Sequence, residues 1–238
     1  MNKLYDLVFS LGANCSSANN LVRRKLRPFA CPFDWVYFMD DSTLRYFASS
    51  IRTRFHDLML KENLVQIEPG HPEWNETHKD FLKYHDLKSG YRFVNHFKAK
   101  IDTPGEYDRV YATLRRRIDR LFKTIEKRNE FLLVFATGVQ IAPEVLISIQ
   151  EAFKAEFPGK RFDIEGLQFS AQETKDVVVR DGIIVHNHTR EINLYDMLRT
   201  NYEWAFLDNV ASRLKPRRQR IAFHLLPHLR MEIHWKRV

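Results

Sequence analysis

A chain of 238 residues with 44% hydrophobic and 13% aromatic residues can bury one sizeable core but is short for two domains. Its net charge of +8 is concentrated at one end: residues 211–238 hold eight Lys or Arg against one acid, leaving 30 basic and 29 acidic residues in 1–210, so a nucleic-acid-binding body is a poor expectation. Two cysteines, at 15 and 31, exclude a disulfide framework and a C-x-x-C pair; with Asp6 interrupting the first apolar stretch and no run of the ~20 apolar residues that span a bilayer, a reducing, cytoplasmic setting is expected.

In chain order, residues 4–10 form an apolar run ended by Leu11-Gly12 and predict a buried strand. Residues 16–25 predict a helix with basic residues in its last turn. The prolines of Pro28-Phe-Ala-Cys-Pro-Phe-Asp-Trp35 exclude helix and predict a fixed aromatic loop. Residues 41–54 suit an amphipathic helix capped by Asp41 or Ser42. Residues 61–105 read as irregular with one strand at 91–97, and 107–128 as a long basic amphipathic helix. Phe131-Leu-Leu-Val-Phe-Ala136 is a central strand, followed by a turn at Thr137-Gly138 and a helix from Pro143 to about 157. Strands are expected at 161–170 and 176–186, the second with a hairpin turn at Asp181-Gly182, and a helix at 194–212. Strand–helix alternation predicts an α/β fold in three layers, a mainly parallel sheet flanked by helices. The expected organisation is one catalytic domain over 1–210 and a basic amphipathic tail over 211–238.

Ligands bind such sheets outside the carboxyl ends of the strands, which is where Cys15 falls. In Ser10-Leu-Gly-Ala-Asn-Cys-Ser-Ser17, Gly12 permits a tight turn, Asn14 can cap the helix or donate an amide hydrogen, and Cys15 opens the helix. A helix start favours a thiolate, and backbone N–H groups around Asn14–Ser16 can receive an oxyanion. The alternative is a small buried cysteine in a strand–helix turn.

The order Ser10-Leu-Gly-Ala-Asn-Cys15, Leu26-Arg27 and Pro32-Phe-Asp-Trp35 resembles the opening of a bacterial family described as papain-like cysteine peptidases. A looser match runs on through Phe93-Val-Asn-His-Phe97 and the basic helix around Arg115–Arg120. The resemblance implies Cys15 as nucleophile and a histidine near position 96 as its base, and it offers a papain-like α+β fold as the alternative architecture. Phe93–Phe97 can be laid on the family's aromatic–His–Asp–aromatic block in two ways, with His96 as the base or with Asn95 in the histidine column. No glutamine precedes Cys15, where papain-type enzymes carry one. Gly12-Ala-Asn-Cys-Ser-Ser-Ala18 is also similar to the Gly–Asn–Cys opening of polysaccharide acetyltransferases whose sheet is related to the SGNH hydrolases; the Asp-x-x-His pair of those hydrolases is absent.

The candidate set is then Cys15 as nucleophile, His96 as general base and Asp34 as either the group that orients the imidazole or an anchor for Arg27, with Gly12, Asn14, Ser16 and Asn95 around the oxyanion or substrate. His186 and His188 alternate along one strand and are reserve bases; as an H-x-H pair they lack a third ligand, so no metal is expected, and no cofactor either. The expected chemistry is acyl transfer through a thioester by a thiol-dependent hydrolase, with a surface-polysaccharide O-acyltransferase and a non-catalytic binding module as alternatives. A small-molecule, peptide or glycan substrate is expected and no nucleic acid. The tail, apolar and basic by turns, either docks on an anionic membrane face or acidic partner, placing the protein peripherally at the inner membrane, or packs back on the domain.

Overall fold

The computed structural model describes residues 5–13, 15–38, 40–70, 80–169, 175–187 and 207. Asn14, His188, the segment 211–238 and, apart from Leu207, the helix expected at 194–212 lie outside the described residues.

The apolar run before Gly12 forms β1 (Leu7–Ser10), and the chain turns directly into α1 (Cys15–Arg23). The run Phe131–Ala136 lies within β6 (Glu130–Thr137), which pairs in parallel with β1 on one side and with β7 (Arg161–Gln168) on the other. Beyond β7 lies β9 (Ile183–Asn187), also parallel, and its hairpin partner β8 (Lys175–Arg180) closes that edge antiparallel. The sheet order is β1-β6-β7-β9-β8, mostly parallel, and the hairpin turns at Asp181-Gly182 as the sequence predicts.

A parallel strand buried on both faces needs apolar residues at consecutive positions, and six consecutive residues of β6, Phe131–Ala136, are fully buried. Val8, Leu132, Val134, Ala136 and Leu167 join Leu21, Leu26 and Leu207 in one cluster. The alternate positions Leu7, Phe9, Phe131, Leu133 and Phe135 join a larger cluster with α4 (Pro143–Glu156) and α2 (Ser42–Ser50). Gly166 on β7 is required there: a Cβ would lie 2.2 Å from Phe135 Cε1.

The region 61–105, expected to be irregular with one strand, holds three strands among its described residues, and with Val36–Tyr37 they make a second sheet, which corrects the sequence reading. β2 (Val36–Tyr37), β3 (Leu64–Ile67), β4 (Leu82–Asp86) and β5 (Arg92–Phe97) form an antiparallel sheet in the order β2-β5-β4-β3. β3 and β4 are short and mix polar with apolar residues, with Lys83 buried against the usual alternation, so their period-2 signal is faint. A long helix, α3 (Glu106–Glu126), then leads into β6.

The helix α2 starts where expected, with Asp41 at the N-cap position and Ser42 as the first helical residue, but the side-chain acceptor there is Asp40. Ser42 N–H donates to Asp40 Oδ1 at 3.0 Å, whereas Asp41 makes no side-chain cap bond. The helix itself ends at Ser50, and 51–59 continue as turns.

Candidate active site

The β1–α1 turn lies at the carboxyl edge of the parallel sheet. Leu11 N–H still reaches Val134 O at 2.8 Å, extending the β1–β6 ladder. The next two residues both take positive φ, Gly12 at 96° and Ala13 at 78°. Gly12 tolerates this freely, and it also approaches the Phe-Asp-Trp loop so closely that a Cβ would meet Val36 Cγ2 at 3.0 Å. Ala13 pays of order 1–2 kcal/mol for a left-handed conformation, so the packing around it, where it is 5% exposed, must hold it there.

Cys15 is the first residue of α1 and is 8% exposed. Its sulfur accepts a hydrogen bond from the Tyr37 hydroxyl at 3.4 Å. Tyr37, Val94 and the partly buried Trp35 pack around it. Ser16 and Ser17 are buried in the same turn, and Asn20 Nδ2 donates to Ser16 O at 3.0 Å, which ties the first turn of the helix to the next.

Val94 comes from a distorted stretch of β5. Tyr84 pairs with Phe93 and Leu82 with Phe97, so two steps of β4 span four of β5. Such a bulge re-aims side chains that strict alternation would send elsewhere. Phe93 and Phe97 stay in the main core, while Val94 packs by Cys15 and Asn95 and His96 line a neighbouring cavity of about 300 Å³. The His96 ring stands edge-on to Phe93 with centroids 5.3 Å apart, and its carbonyl accepts from Arg109 Nη2 at 3.3 Å. Trp35 lines the same cavity, so it forms the wall shared with the cysteine cluster. The structure thus places Val94 against Cys15 and the next two residues, Asn95 and His96, in the cavity that Trp35 also lines; the 3.4 Å hydrogen bond on the sulfur comes from the Tyr37 phenol and not from His96.

Asp34 is fully buried. Its Oδ2 accepts Cys31 N–H at 2.6 Å and pairs with Arg27 Nη2 at 2.6 Å. Desolvation pushes its carboxyl up from 3.8 to about 6, against the pull of Arg27 and the Cys31 N–H. The Arg27 guanidinium also lies over Trp35, 5.8 Å from the ring centroid, so the pair braces the loop beside Cys15. Cys31 is wholly buried, and desolvation followed by the Asp34 charge pushes its thiol well up.

His186 is engaged at both ring nitrogens, Nδ1 with Asp176 Oδ1 at 2.8 Å and Nε2 with Glu165 Oε1 at 3.1 Å. Burial lowers its proton affinity, but the two carboxylates outweigh that and raise it. β9 stands three strands from β1, roughly 14 Å at the usual strand spacing, so His186 is not brought to Cys15. His188 and Asn14 lie outside the described residues. Among the described residues no group of three or more His, Cys, Asp or Glu is placed to hold a metal, and no helix is long and apolar enough to cross a membrane.

Sequence reasoning missed Tyr37. Its strand, β2, is two residues long and follows the turn that ends at Trp35, so no alternation marked it. It also passed over Arg117 of α3, a cavity-lining residue in the middle of a basic run.

No curated protein and no solved structure matches the chain. One family model does, over residues 6–178, which spans β1, the cysteine turn, the second sheet and β6–β7. With nearly three-quarters of its residues matched, the chain belongs to the family described as "Putative papain-like cysteine peptidase (DUF1796)".

Proposed function

We propose that the protein is a cysteine hydrolase that works by acyl transfer, with Cys15 as nucleophile and His96 as general base. The observation that carries this reading is the sulfur at the first position of α1, held by a phenolic donor beside a cavity and next to a left-handed turn. The sulfur attacks an acyl carbon, forming a C–S bond, and its proton passes to the imidazole. The imidazole returns the proton to the departing group, and water then attacks the thioester to release the acid and the free thiol. Backbone N–H groups at the start of α1, with Ser16 among them, face the developing oxyanion, and Gly12 keeps the turn open for the acyl group. Asn95 borders the substrate space, and Asp34 serves by fixing Arg27 and Trp35. The same thioester would acylate a glycan hydroxyl in place of water, which is the acyltransferase reading. In this proposal the sheet and its helices form one three-layer catalytic body over 1–210, cytoplasmic, and the basic segment 211–238 contacts an anionic surface.

The test is labelling of the native protein by a thiol-directed acyl probe with intact-mass and peptide mapping. Cys15 is expected to take one acyl group and Cys31 none, and Cys15→Ala to abolish labelling with the fold intact. Labelling of Cys31 alone, or full activity in Cys15→Ala, would overturn the proposal.

A further inference from the structure

The cavity that shares Trp35 with the cysteine cluster is lined by a cation that the fold itself does not use. Most of the neighbouring arginines on α3 have a partner. Arg109 is held by Glu106 at 2.8 Å, Arg115 donates to Phe55 O at 2.8 Å, and Arg120 donates to Ala30 O at 2.8 Å. Arg117 is half-buried and lines the cavity, yet among the described residues it makes no hydrogen bond or ion pair. Desolvation pulls its proton affinity down, while the Asp34 charge, already bonded to Arg27, acts on it from further off.

An arginine kept partly out of water without a partner is costly, and its planar fork matches carboxylate or phosphate oxygens. The other groups at this cavity point the same way. The Lys98 ammonium and the Asn95 amide are also uncommitted among the described residues, and no carboxylate is among the described lining residues. Trp35 offers a flat apolar face that this cavity shares with the cysteine cluster.

We infer that this cavity is an anion subsite, in which Arg117, assisted by Lys98, receives a carboxylate or phosphate of the substrate while Trp35 packs on its planar or apolar portion. The inference rests on the hydrolase reading only in assigning the bound molecule as substrate: the anionic group anchors it and leaves its acyl carbon toward Cys15. The substrate class is therefore an anionic acyl compound, not a neutral one.

The test has two independent readouts on the full chain. In the first, inorganic phosphate and succinate are each titrated into the protein against sodium chloride at equal ionic strength, followed by calorimetry. Binding by at least one is expected; Arg117→Gln should weaken it about 10- to 100-fold, Arg117→Lys less, and the exposed neighbour change Arg116→Gln should leave it unchanged. Phosphate alone binding assigns a phosphorylated substrate, and succinate alone a carboxylate. In the second, a Cys31→Ser background is alkylated with iodoacetate and with iodoacetamide, and the anionic reagent is expected to be favoured at Cys15, with that preference lost in Arg117→Gln. Absence of binding by both anions, or equal binding in Arg117→Gln with wild-type unfolding, overturns the subsite. If the anions bind through Arg117 but Cys15 resists both reagents, the subsite stands and the nucleophile reading falls; reaction without anion binding gives the reverse.

Discussion

The Tyr37 hydroxyl donates to the sulfur of Cys15 at 3.4 Å, and the bond ties the antiparallel sheet to the start of α1. Tyr37→Phe keeps the ring and removes the donor. Hydrogen bonds to charged groups contribute roughly 1.5–3 kcal/mol, so the rate of Cys15 alkylation by iodoacetamide is expected to fall about tenfold or more, with little change in unfolding midpoint. An unchanged rate would show that the phenol only fills space. Asp34 makes a different kind of statement, about pH. Its carboxyl loses its proton at about 6 in the folded chain and near its ordinary 3.8 when unfolded. Between those values the folded state holds a proton that the unfolded state has released, so this group's stabilising contribution is full below pH 4, declines as pH rises, and is gone above about 6. The decline is roughly 3 kcal/mol. Urea unfolding at several pH values is expected to show wild type losing stability relative to Asp34→Asn as pH goes from 4 to 6.5; parallel curves would refute the assignment.

At the scale of elements, the strand–turn–helix of β1 and α1 was legible because a buried apolar run, a glycine and a helix start each carry their own local signal. β6, α3 and α4 were legible for the same reason, being long and strongly patterned. The second sheet was hidden: β3 is four residues, β4 reads Leu-Lys-Tyr-His-Asp, and the bulge in β5 breaks the alternation that would have revealed which side chains face the cysteine. That Asp40, and not the N-cap residue Asp41, accepts the Ser42 N–H was not legible because the sequence offers two aspartates in a row. The β7–β9–β8 end of the parallel sheet is held by a different device, His186 between Glu165 and Asp176. Because its folded proton affinity is raised, this imidazolium stabilises the fold fully below about 6.5 and loses its effect as pH rises through the higher folded value. His186→Gln is therefore expected to lower Tm more at pH 6 than at pH 9. Equal losses at both would show that packing, not charge, is what the histidine supplies.

For the molecule as a whole, Phe33 is the join between the two sheets. Its ring lies 4.8 Å from Phe47, 4.9 Å from Phe55 and 5.6 Å from Tyr91, drawing the Phe-Asp-Trp loop, α2 and the second sheet into the core under the parallel sheet. Large-to-small changes at such positions cost roughly 3–5 kcal/mol. Phe33→Ala is expected to destabilise by that order in denaturant unfolding and to raise the iodoacetamide reactivity of Cys31, which is otherwise sealed beneath the loop. A loss below 1 kcal/mol would mean that the two sheets are joined elsewhere.

The pairing of Ser10 with Val134 has a consequence in time. β1 and β6 are neighbours in the sheet but are separated along the chain by the whole second sheet and α3. Ribosomes add about 5–20 residues per second, so the roughly 120 intervening residues take some 6–25 s to appear. Throughout that interval β1, the strand that leads into Cys15, lacks its partner. The parallel pairing that seats the β1–α1 turn is therefore made late in synthesis, when β6 arrives, and an incomplete chain carries the Cys15 thiol without that pairing.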